Sequence, residues 1–152
     1  MNHRPSLAEP AFPGDDGTVY PALADALGDD MRVLAVLGDV RVFVPVVALL
    51  GDSPAGTDKE ADMAAVLMTG ADGRTALLAF SSVAAMTTWN TDARPVPVWG
   101  REAARAALDE DASALLLDVA SPTFTVVEAP DLEHLAAGHR LVSTDAGPAW
   151  LA

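Results

Sequence analysis

The stretch LLAFSSVAAMTTWNTDARPVPVWG, Leu77 to Gly100, decides how the rest of the chain is read. Its opening, LLAF, has the bulk of a buried strand. Ser81 or Ser82 stands where that strand ends, and a serine hydroxyl accepts the free N–H groups of a helix's first turn. Val83, Met86 and Trp89 or Asn90 follow at helical spacing, which puts the large side chains on one face. Then come the alternating prolines of ARPVPV. Residues two apart in a strand direct their N–H groups to the same side, so Pro95 and Pro97 remove both donors from one edge while Val96 and Val98 still pair on the other. The stretch predicts a strand, a serine-capped helix and a short edge strand that resists pairing with a stranger's strand.

Working upstream, ADMAAVLMT and RTALLAF flank GADG, Gly70 to Gly73, and two β-like runs around a short glycine-containing connection predict a hairpin. RVFVPVVALL, Arg41 to Leu50, is apolar and β-branched, so it predicts a strand covered on both faces. Pro45 within it predicts a bulge or one unpaired side. A helix is expected from near Thr18 with Pro21 in its first turn and Gly28 as its stop. Asp29 or Asp30 then caps a second helix over Met31 to Leu37, a segment that a strand over Arg32 to Val36 fits nearly as well. Residues 1–17, rich in proline and glycine, read as a flexible arm.

Downstream, REAARAALDE predicts a helix with Ala104, Ala107 and Leu108 facing inward. SALLLDV and TFTVVEA predict two strands, and PDLEHLAAG a closing helix with Pro130 in its first turn and Gly138 past its end. Together these make an α+β single domain: a mixed sheet of about five to six strands with about four to five short helices packed against it. Residues 18–138 form that domain and residues 139–152 a tail.

Composition bounds the function. The chain has 152 residues, 51% of them hydrophobic, and no cysteine. It therefore has the means for a core, and it has neither a disulfide framework nor a thiolate nucleophile. No basic start with an apolar run behind it opens the sequence, and no apolar stretch reaches the 18 or so residues that cross a bilayer, so a cytoplasmic location is expected. The net charge is −13, with Lys59 the single lysine beside eight arginines. Nucleic-acid affinity comes from cations that displace counterions from phosphates, so nucleic acid and anionic membranes are not expected partners. The acid excess itself reads as solubility and mutual repulsion before it reads as a specific basic partner.

The search for chemistry finds little. Ser53 in GDSPAG lacks the G-x-S-x-G spacing of a nucleophile elbow and any nearby histidine motif, so it reads as a turn residue. His134 and His139 are five apart, not the i, i+4 pair that aims two imidazoles at one zinc, and the negative helix terminus accounts for both. The carboxylates of GDDG, Gly14 to Gly17, and of DED, Asp109 to Asp111, lack the alternation of a calcium loop. There is no phosphate-cradling glycine motif. No catalytic residue, cofactor or metal site is therefore assigned. Lys59 in TDKEADM, together with Arg94, is the candidate site for a small anion, against a plain surface ion pair worth at most about 1 kcal/mol. Trp89 and Trp99 fit a core or an interface equally well.

The segments DKEADMAAVLMT, LLAFSSVAAMTTW, ARPVPV, ALLLDVASP and PDLEHLAAG, in that order from about Phe12 to Gly138, resemble the SseB-family N-terminal domain in its actinobacterial form. The high alanine content and the arginine excess over lysine agree with a GC-rich source. The resemblance implies a small α+β domain with a mixed sheet and brings no catalytic residue, substrate or cofactor with it. Members similar to the enterobacterial protein carry a second, C-terminal domain, whose role is expected here to be absent or supplied elsewhere. The tail LVSTDAGPAWLA is expected to serve in docking. The leading expectation is a non-enzymatic binding or regulatory domain that meets a protein partner, or itself, through an apolar patch near Trp89, Val96, Val98 and Trp99. The alternative is an anionic or amino-acid ligand held by Lys59 and Arg94, and a hydrolase is the least favoured.

Overall fold

The computed structural model describes residues 12–48 and 63–152, and their elements run in the order helix, helix, then strands interleaved with three more helices. α1 (Pro21–Ala26) starts on its proline, whose missing N–H costs nothing in a first turn. α2 (Asp30–Leu37) is capped by Asp29, whose carboxylate accepts the Arg32 N–H at 3.2 Å. The helical reading of Met31 to Leu37 thus prevails over the strand, because the cap fixes the first turn and Val33 and Leu37 share the buried face.

β1 (Arg41–Ala48) is the centre of a three-stranded sheet, between β2 (Met63–Ala65) and β5 (Arg94–Trp99), both antiparallel to it. Phe43 directs its N–H and C=O to Phe80, at 2.7 and 2.8 Å, and so points away from β5. By alternation Pro45 points the same way, and the backbone groups of Val42, Val44 and Val46 face β5. Opposite them lie Val98, Val96 and Arg94, so Pro95 and Pro97 carry their absent N–H groups on the outer edge. β5 is the blunted edge strand that its sequence predicts. Pro45 sits where β1 passes from its bridge with Phe80 to its ladder with β2, at the one place where a donor is not needed.

The second sheet has the order β3 (Leu67–Thr69), β4 (Thr75–Ala79), β6 (Ala114–Leu117), β7 (Thr125–Glu128). β3 and β4 form the expected hairpin, closed by the Gly70 N–H on the Arg74 carbonyl at 2.8 Å, and β4 and β6 are parallel. Val66 joins the two sheets: its N–H goes to Pro45 and its carbonyl accepts from Leu78. The strands expected in one mixed sheet thus form two sheets, linked through Val66 and through the Phe43–Phe80 bridge. A third, two-stranded sheet, β8 (Arg140–Thr144) with β9 (Gly147–Leu151), occupies the segment read as a tail.

The main core lies on one face of these sheets under α1, α2, α4 (Gly100–Asp109) and α5 (Ala129–Ala136), with Leu23, Val33, Leu37, Leu77, Leu115, Leu117 and Leu132 fully enclosed. Ala103, Ala104 and Ala107 give α4 a flat face that lets α5 approach closely. On the other face α3 (Val83–Trp89) covers a smaller core of Leu78, Phe80, Met86 and Ala93. Burying each such leucine or phenylalanine contributes roughly 1.5–3 kcal/mol, so aliphatic packing holds the domain together.

Candidate functional site

Ligand sites in sheets with parallel strands tend to form beyond the strands' carboxyl ends. Here β4 runs out into Phe80, Ser81 and Ser82, and β6 into Asp118. Ser82 is the cap of α3, accepting the Ala85 N–H at 3.0 Å. Ser81 is not a cap. Its N–H donates to Asp118 Oδ1 at 2.7 Å and its hydroxyl to Asp118 Oδ2 at 2.6 Å, with both residues buried. Burial pushes the Asp118 carboxyl above its ordinary pKa, and the two bonds from Ser81 pull the other way. Asp118 also holds a left-handed backbone, φ 60°, which aspartate tolerates better than most residues.

The start of β1 lies beside the end of β4, since the two are antiparallel neighbours. Arg41 there is wholly buried. Its Nη1 donates to the Ser81 carbonyl at 3.0 Å, Nη2 to the Thr18 carbonyl and to Asp15 Oδ1 at 3.0 Å, and Nε to Asp15 Oδ2 at 2.7 Å. The guanidinium also lies 4.2 Å from the centre of the Phe43 ring and 4.9 Å from that of Tyr20. The arginine hydrogen bonds beside Asp15 hold its carboxyl below the ordinary range. Asp15 of the GDDG run is therefore committed to a cation of the chain itself. Residues 12–17, assigned to the arm by composition, meet the sheet here, with Phe12 buried 4.7 Å from the Trp99 ring.

This chain of groups, Asp15 to Arg41 to Ser81 to Asp118, is closed. Among the described residues every buried side-chain nitrogen or oxygen has a partner. Ser81 and Asp118 are 2% and 3% exposed, which leaves no path for a substrate to the serine hydroxyl. The arrangement fastens the segment before α1 to the ends of three strands. The sequence reads Ser81 only as a possible cap and gives no role to Arg41 or Asp118, because their pairings span 23 to 40 residues. The available signal was an arginine opening an otherwise apolar strand, which demands a buried partner.

Of the residues singled out beforehand, Lys59 and Ser53 lie outside the described residues, so the pairing of Lys59 with Arg94 is not visible. Arg94 is exposed at the start of β5. Trp89 packs on Phe80, ring centres 5.5 Å apart, as part of the smaller core. Val96 and Val98 share the face that carries Val44 and Val42, whereas Trp99 lies on the opposite face against Phe12 and Tyr20. These four are not one patch. His134 and His139 meet Nδ1 to Nδ1 at 2.9 Å, and Trp150 stacks on His134 at 4.8 Å.

Shallow hollows of about 230 and 270 Å³ flank the Asp15–Arg41 pair, and two other surfaces lie away from it. The outer face of the second sheet carries a mainly apolar hollow of about 180 Å³ over Met68, Ala76, Ala114, Leu116 and Val126, with Arg74 paired to Glu128 at 2.9 Å on its rim. A separate, mainly polar cavity opens between α2, α4, α5 and β8. No group of three or more metal-ligating side chains occurs among the described residues, and no helix among them is long and apolar enough to cross a membrane.

Residues 20–134 match the family model described as the SseB protein N-terminal domain. Neither a comparison with curated proteins nor one with solved structures gives a match.

Proposed function

The chain belongs to the SseB family, and from that premise we propose that it is a binding domain without chemistry of its own, which docks a segment of another protein on the outer face of the sheet β3-β4-β6-β7. The observation that carries this reading is the exposure of that face. Val126 is 42% exposed and Met68 36%, around a hollow also lined by Ala76, Ala114 and Leu116. Contiguous apolar surface of this kind marks an interaction site more often than a free surface. Trp89 and Trp99 make their aromatic contacts within the chain, so the docking face falls on this sheet rather than on the tryptophans.

The occupant is another protein rather than a second copy. At −13 each, two copies repel, whereas an apolar strip with neutral or basic flanks suffers no such penalty. The buried polar groups are taken up by structural bonds, since Arg41 is held by Asp15, Thr18 and Ser81, and Ser81 by Asp118.

The test compares the wild type with Val126→Glu and Met68→Glu. Both positions are exposed, so thermal stability should change little. A defined protein retained by the wild type from lysate, binding the purified chain in a two-component titration and lost with either variant, is the expected result. A monomer that binds nothing, or binding indifferent to both variants, would overturn the proposal. So would a dimer in sedimentation that dissociates in the variants, because the face would then belong to a second copy.

A further inference from the structure

The polar cavity, about 140 Å³, is assembled from four elements. Asp39 follows the end of α2, Arg101 stands in the first turn of α4, and His139 and Arg140 lead out of α5 into β8. Leu34 and Leu135 add apolar lining. The lining holds two arginines and one aspartate beside His139, a positive balance in a chain whose total is −13. Asp39 does not cancel Arg140. They are 3.9 Å apart with side chains 62% and 71% exposed, a separation and exposure at which an ion pair contributes next to nothing. Arg101 takes part in no ion pair among the described residues.

We infer that this cavity binds a small oxyanion, the phosphate or carboxylate group of a metabolite. A guanidinium presents a planar fork of donors that matches either group, and two of them lining one concave surface are able to engage the same anion. The competing account is that the cations merely offset the carbonyl ends of α2 and α5, which lie at Gly38 and Ala137. That account predicts lower stability on removing either arginine and no ligand effect. It also predicts no gain from removing Asp39. The site includes His139 and Arg140, which lie beyond the matched residues 20–134.

The test is a titration of the full ¹⁵N-labelled chain with sodium phosphate, and separately with sodium acetate, each against sodium chloride at equal ionic strength. Saturable shifts at the amides of Gly38, Arg101, Gly138 and Arg140 are expected. Affinity should fall about tenfold or more in Arg101→Gln and Arg140→Gln, and rise about three- to fivefold in Asp39→Asn, which removes the competing charge. The stronger of the two salts assigns the group as phosphoryl or carboxylate. Shifts reproduced by chloride, or arginine variants that bind like the wild type, would overturn the inference. Should the glutamine variants unfold, Asp39→Asn decides alone: unchanged or weaker binding refutes the site, since tighter binding cannot come from a damaged fold.

Discussion

Asp15 and Asp118 are both carboxylates of one polar chain, yet they respond to pH with opposite signs. Asp15 has a folded pKa below its ordinary value of 3.8, lowered first by its hydrogen bonds with Arg41. Its contribution to stability is present above that value and is lost as pH falls through the folded one. Asp118 is raised above 3.8 by burial, so the folded chain keeps a proton that the unfolded chain has released. Stability then declines as pH rises from about 3.8 through the folded value. In urea unfolding from roughly pH 3 to 7, Asp118→Asn should lose the decline on the upper side and Asp15→Asn the rise on the lower side. Identical profiles for the two variants would show that the pair is wrongly described. Little of this was legible beforehand. A cap such as Ser82 announces itself because its acceptor role is satisfied three residues away. Ser81, next to it, looks the same in sequence and is committed to a residue 37 positions distant.

The elements were more readable, wherever the deciding chemistry is local. Pro95 and Pro97 mark an edge by what they lack, Asp29 and Ser82 mark helix starts, and the Gly70–Gly73 turn fixes the β3–β4 hairpin. The link at Val66 was not readable, because an apolar residue midway along an apolar run gives no sign that its N–H and C=O serve two different sheets. The junction of α2 with α4 is equally silent and more demanding. A Cβ on Gly100 would stand 1.7 Å from the Leu37 carbonyl oxygen and 3.3 Å from the Leu37 side chain. The start of α4 is pinned there by the Gly100 N–H on the Val40 carbonyl at 2.8 Å, so neither backbone can yield without moving a helix. Gly100→Ala should destabilise the domain by about 3 kcal/mol or more, against a gain of up to about 1 kcal/mol had the site been open. Thermal unfolding checks it, and a stability equal to the wild type's would mean that the two helices slide apart easily.

At the scale of the molecule, the family match ends at residue 134 while the packed unit runs on. Composition made residues 139–152 a tail, since a strand of five residues interrupted by TDAG offers too little periodicity to stand against it. The structure turns that segment into a hairpin whose Leu141 is buried and whose Trp150 lies against the main core and on His134. Burying a leucine and about half of a tryptophan contributes roughly 3 kcal/mol, part of which is offset by the entropy of ordering the strands. Deleting residues 139–152 should therefore lower the unfolding free energy by about 2 kcal/mol and speed amide exchange in α5, where His134 loses its contacts with His139 and Trp150. Exchange in β4 and β6, which share no ladder with the hairpin, should keep its protection relative to the new global stability. A truncated chain as stable as the full one would mean that the hairpin rests on the domain without adding to its core, and the expected weight of Trp150 and Leu141 would be wrong.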